Sequence, residues 1–134
     1  MTTHEAAERF VRVWARAWAG HDVDALLELY ADDCVHRSMP FREPHRGRAE
    51  LAVYLRWSFA AEQVSDVRFS APVVGQQGVA VAEFRVWSVE DGEPCTLAGC
   101  VFVRFDEAGL ATETRDYWHT EPGHREPSGT LFFN

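Results

Sequence analysis

Residues 17–55 constrain the fold more than any other part of the chain. They read AWAGHDVDALLELYADDCVHRSMPFREPHRGRAELAVYL. A helix closes at Gly20 and a short second helix follows. Asp32-Asp33, an extended run, a Pro-containing loop, Gly47 and a third helix come next. Helices that precede the strands, instead of alternating with them, predict an α+β domain with helices segregated on one face of a curved sheet.

The periodicities agree. Phe10, Val13, Trp14, Ala17 and Trp18 form an apolar stripe over a helix at 3–19. Thr2 and Glu5 have capping-box spacing, and Gly20 stands where a C-terminal glycine belongs. Asp22 is the expected N-cap of a helix at 23–30, which Asp32-Asp33 would end. Leu51, Tyr54, Leu55, Ser58 and Phe59 share a face of a helix at 48–61. Beyond it Val67, Phe69, Ala71 and Val73 alternate with polar residues. Strand-like runs follow at 79–89, 96–105 and 110–119. Glycine-bearing turns at 75–78, 90–93 and 106–109 separate them, predicting an antiparallel meander. An early strand at 34–37 should join that sheet. The tail from 122 is loop-like but ends in Leu131-Phe132-Phe133, which is expected to dock on its own domain or on a neighbouring subunit.

The 134 residues make one domain, 1–134, with its core over about 6–119. A net charge of -8 argues against nucleic acid and against anionic membrane surfaces. No stretch resembles a membrane span or a leader peptide, and three cysteines without C-x-x-C spacing suit reduced thiols, so a cytoplasmic protein is expected. All 13 basic residues are arginine, which rules out Schiff-base chemistry on a lysine. Six scattered histidines lack H-x-x-x-H or H-E-x-x-H spacing, and no phosphate-binding glycine loop occurs. Neither a metal nor another cofactor is expected.

With A-G-H-D at 19–22, Y-A-D-D at 30–33, Gly47-Arg48 and D-Y-W at 116–118 in place, the chain resembles the SnoaL-like branch of the nuclear transport factor 2-like superfamily. The resemblance covers about residues 6–119. It implies an α+β cone, a deep pocket between helices and sheet, and a homodimer. Members include polyketide cyclases, ketosteroid isomerases, dehydratases, epoxide hydrolases and non-catalytic binding proteins, so it implies no single activity. The ketosteroid isomerase residues are missing: Met39 precedes Pro40 where the base Asp would stand, and Val101 and Trp14 fall near the Asp and Tyr of the oxyanion hole. The cyclases carry an acid/base Asp in the pocket, and Asp116 is the nearest match.

On the last strand Asp116 and His119 are three apart and must face opposite sides, so only one can enter a pocket. Asp116 with Trp118 is one possible set; Tyr117 with His119 and Arg115 is the other. His36 and Ser38 share a face of the early strand, where His36 is either a pocket acid or base or a hydrogen-bonded half-buried histidine. The candidate catalytic residues are therefore Asp116, His119 and His36. Trp14, Tyr54, Phe102, Tyr117 and Trp118 are the candidate ligand contacts. Glu83 and Arg85 share a strand face and are expected to pair with each other. The charged loop 41–47 is a lid, a recognition edge or a rigid connection shaped by its prolines. The expected function is a cofactor-free enzyme on a small apolar or aromatic molecule, with a non-catalytic binding dimer as the alternative.

Overall fold

A computed structural model describes residues 1–129. Three helices, α1 (Thr3–Gly20), α2 (Val23–Leu27) and α3 (Gly47–Ala60), pack on a seven-stranded sheet. The strands are β1 (Tyr30–Ser38), β2 (His45–Arg46), β3 (Gln63–Phe69), β4 (Val73–Val74), β5 (Val79–Glu90), β6 (Glu93–Phe105) and β7 (Ala111–Pro122). The sheet order is β2-β1-β7-β6-β5-β3, with β4 paired to β5. The sheet is curved and does not close. None of the described helices is long and apolar enough to cross a membrane.

α1 starts as its sequence dictates. Thr2 Oγ1 accepts from Glu5 N at 3.1 Å, and Glu5 Oε1 accepts from Thr2 N at 2.9 Å. Thr2→Ala should cost about 1 kcal/mol, read as a lower denaturation midpoint with an unchanged slope. The helix end differs from expectation. Gly20 stays helical, and His21 takes the left-handed conformation at φ 52°. The reason is tertiary: the His21 ring stacks on Phe59 of α3 at 4.8 Å.

Two further differences matter. α2 stops at Leu27, and Tyr30 already belongs to β1. Asp32-Asp33 therefore lies inside a strand, at the register shift between Tyr30 and Val35, and does not end a helix. Also, β1 enters the sheet parallel to β7, whereas the remaining pairs are antiparallel.

The core lies between the helices and the inner sheet face. Phe10 packs on Tyr30 and Phe105, with ring centroids 6.0 and 5.8 Å away, and Leu26 and Leu51 are fully enclosed. On the outer face Arg85 is buried but does not pair with Glu83. It binds Asp66 Oδ2 at 2.7 Å and Glu126 Oε1 at 2.9 Å, and lies over Trp87. Glu126 belongs to a tail segment that folds back across this face: Trp87 Nε1 donates to Arg125 O, and Thr96 Oγ1 to Gly123 O. The apolar 131–133 run lies outside the described residues.

Candidate active site

The parallel β1–β7 register builds the site. It sets His36 beside Thr114 and Ser38 beside Asp116. Strand alternation then turns Asp116, Trp118 and Thr120 toward the helices. They line a cavity of about 340 Å³, whose walls include Phe10, Trp14 and Trp18 from α1 and Tyr54, Leu55 and Phe59 from α3. Met39, just after β1, lies in the left-handed region at φ 67°, and its N–H donates to Asp116 O at 2.9 Å. That turn brings Arg42 over the Trp118 ring, 5.1 Å from its centroid, at the cavity wall.

Asp116 is the centre of a polar chain. Trp118 Nε1 donates to Ser38 Oγ at 2.9 Å, and Ser38 Oγ donates to Asp116 Oδ1 at 2.7 Å. Asp116 Oδ2 lies 3.6 Å from His36 Nε2, beyond hydrogen-bond distance. His36 Nδ1 meets Thr114 Oγ1 at 2.7 Å, and Trp14 Nε1 donates to Tyr30 Oη at 3.2 Å.

Burial governs the charges. It pushes the Asp116 carboxyl from 3.8 up to about 6, against the hydrogen bonds from Ser38 and Trp118 and the charges of Arg42 and Arg37. It pushes His36 down to about 4, helped by the neighbouring His45. An isolated Asp–His ion pair would move both groups the other way. Here the loss of water outweighs a 3.6 Å attraction, so near pH 7 a neutral imidazole faces the carboxylate. Burial also raises the Tyr54 hydroxyl, which stays protonated and able to donate.

Of the residues singled out in the sequence, Asp116, His36, Trp14, Tyr54 and Trp118 meet at this cavity. His119, Tyr117 and Phe102 do not. His119 is largely exposed and contacts Glu121 at 3.2 Å. Tyr117 accepts from Arg37 Nη2 at 2.8 Å on the outer face and packs edge-on against the exposed Phe102. One β-strand parity accounts for all three. Sequence reasoning missed Thr114, Arg42 and Glu62. Arg42 carried a weak signal, as a cation in the 41–47 loop, and Glu62 carried none.

N-terminal helices packed on a curved, unclosed sheet define the class of fold, a mixed α+β domain. A SnoaL-like domain model matches residues 10–114, and the chain belongs to that family. Among solved structures, RV0760c of Mycobacterium tuberculosis is similar at a TM-score of 0.77 and 21% identity, covering 92% of this chain and 100% of that one. A Bacillus subtilis protein provisionally named an isomerase gives 0.76 and 20%, covering 89% and 90%. A Xanthomonas campestris pv. campestris protein provisionally named a polyketide cyclase gives 0.71 and 23%, covering 88% and 93%. At these identities the likeness concerns the fold.

Proposed function

We propose that this protein is a cofactor-free acid–base enzyme acting on a small apolar or aromatic ketone, with Asp116 as the base. One observation carries the reading: a carboxyl buried in an aromatic cavity, with its proton affinity raised to about pH 6. A base of that strength is largely ionised at neutral pH yet avid enough to take a carbon-bound proton. Asp116 removes the proton next to the carbonyl; the C–H electron pair becomes the C=C bond of the enolate, and the carbonyl π pair moves onto oxygen. Tyr54 and Arg42 are the donors available to that oxygen. The proton on Asp116 then returns at another carbon of the conjugated enolate, or the enolate carbon adds to a second carbonyl of the substrate, whose π pair becomes an alkoxide that takes the proton. Ser38, donating to Oδ1, holds the Asp116 carboxyl in place, and neutral His36, fixed by Thr114, stands beside it. Trp14 and Trp118 supply the apolar walls. The provisional isomerase and cyclase names of two fold relatives are compatible with this chemistry.

The test uses bicyclic ketones in deuterated buffer, with exchange next to the carbonyl read by mass spectrometry. Exchange should exceed the buffer rate, and its kcat/KM should rise about tenfold per pH unit up to a plateau above about 6, because the free enzyme must lose the Asp116 proton. Exchange at the buffer rate across the series would leave the alternative, a binding module. We also read the protein as a cytoplasmic homodimer, joined through the outer sheet face that carries the exposed Phe102; a monomer mass by light scattering at micromolar concentration would exclude the dimer.

A further inference from the structure

The cavity has a second polar end. Glu62 sits where α3 gives way to β3 and lines the same cavity as Asp116, beside Ser88 and Glu90 at the far end of β5. Its side chain is only 11% exposed. Oε1 accepts from Trp18 Nε1 at 2.8 Å, which fixes the carboxyl against the cavity wall. His21 Nε2 lies 3.7 Å from Oε1, buried and without a hydrogen-bond partner among the described residues. Glu62 Oε2 accepts no hydrogen bond from a described residue and is not among the fully buried unsatisfied atoms, while the residue itself lines the cavity. Between the two ends the wall is apolar: Phe59, Phe84, Leu97 and Trp18. Along β7 alone, Asp116 to Thr120 spans about 13 Å of that wall.

We infer that Glu62 is a specificity-determining residue, and that the substrate is an elongated, ring-containing ketone with a hydroxyl group at the end remote from the reacting carbon. The inference rests on the reading of Asp116 as the base. A carboxyl held through one oxygen by Trp18, at the polar end of a largely apolar cavity, leaves a second oxygen that a ligand donor can satisfy. A neutral hydroxyl fits better than a cation. Burial raises the proton affinity of Glu62, and a cation would also have to shed its water to reach it.

Binding is the readout that separates this inference from the base assignment. Quenching of the cavity tryptophans would give dissociation constants for 2-tetralone, 6-hydroxy-2-tetralone and 6-aminomethyl-2-tetralone. The wild type should prefer the hydroxylated ketone over 2-tetralone by about tenfold or more. Glu62→Leu should abolish the preference. Glu62→Gln, which keeps the shape and one acceptor oxygen, should fold normally and reduce it. Asp116→Asn should retain the preference while losing deuterium exchange, so a protein that discriminates without exchanging would refute the base and spare Glu62. Equal affinities in the wild type would overturn the inference, as would a preference that survives both Glu62 variants. Tighter binding of the aminomethyl compound would overturn it too.

Discussion

Asp116→Asn should lower the exchange rate by about 10²- to 10⁴-fold and make the protein more stable at pH 7. The first effect follows from removing the base; Asn keeps an oxygen to accept from Ser38 but cannot take a proton. The second follows from linkage. The folded state raises the Asp116 pKa from 3.8 to about 6, so it holds the proton more tightly than the unfolded chain does. That contribution is complete below pH 3.8 and is lost as the pH rises through about 6. By pH 7 the buried carboxylate costs up to about 3 kcal/mol, at about 1.36 kcal/mol per pH unit. Asn never ionises, so the variant gains up to that amount at pH 7 and little at pH 4.

His36 runs in the opposite sense. Its folded pKa, about 4, lies below the ordinary 6.5, so its contribution is complete above pH 6.5 and is lost as the pH falls toward 4. The two slopes oppose each other over most of this range, and this pair leaves the wild-type stability nearly flat between pH 4 and 6. Asp116→Asn exposes the His36 slope: the variant should lose stability steadily on acidification while the wild type does not. Urea midpoints at four pH values read both effects. A variant less stable than wild type at pH 7 would show that the carboxylate anchors the fold, and would remove the argument for a base of raised proton affinity.

Gly99→Ala should destabilise the protein by about 3 kcal/mol or more, well above a typical surface change. Gly99 pairs with Phe84 on one side and Trp118 on the other. An added Cβ would collide with the carbonyl oxygen of Tyr117 and would stand 2.6 Å from Trp118 Cα and 2.8 Å from its Cβ. These are backbone and near-backbone atoms that no rotamer change can move. β7 would have to shift, and with it the Trp118 indole that donates to Ser38. Fold and site should fail together, seen as a lowered denaturation midpoint and altered tryptophan emission before unfolding. A variant within about 1 kcal/mol of wild type would mean that the strands part there at little cost.

Much of this architecture is local and was therefore legible. The Phe10–Trp18 stripe, the Thr2/Glu5 capping box and the glycine turns after Val74, Glu90 and Asp106 act through neighbours in the chain, so their spacing carries their structure. The same holds for the rule that Asp116 and His119 must oppose each other. Other features were illegible for the same reason in reverse. Gly20 looked like the helix end, but His21 took that role because Phe59, far along the chain, receives its ring. Glu83 and Arg85 looked like partners, but Asp66 and Glu126 approach from other segments and take the guanidinium.

The sequence by itself determined the class of fold, the order of its elements and a short set of residues able to do acid–base chemistry. Tertiary structure alone decided which of them meet. The parallel docking of β1 beside β7 chose the inward face, setting Ser38 and His36 on Asp116 and sending His119, Tyr117 and Phe102 outward. The packing of the loop after β1 and of the end of α3 delivered Arg42 and Glu62 to the cavity. Helix and strand periods arise from backbone geometry and repeat within a few residues. The burial that lifts the Asp116 pKa to about 6 arises only when segments some eighty residues apart exclude water together.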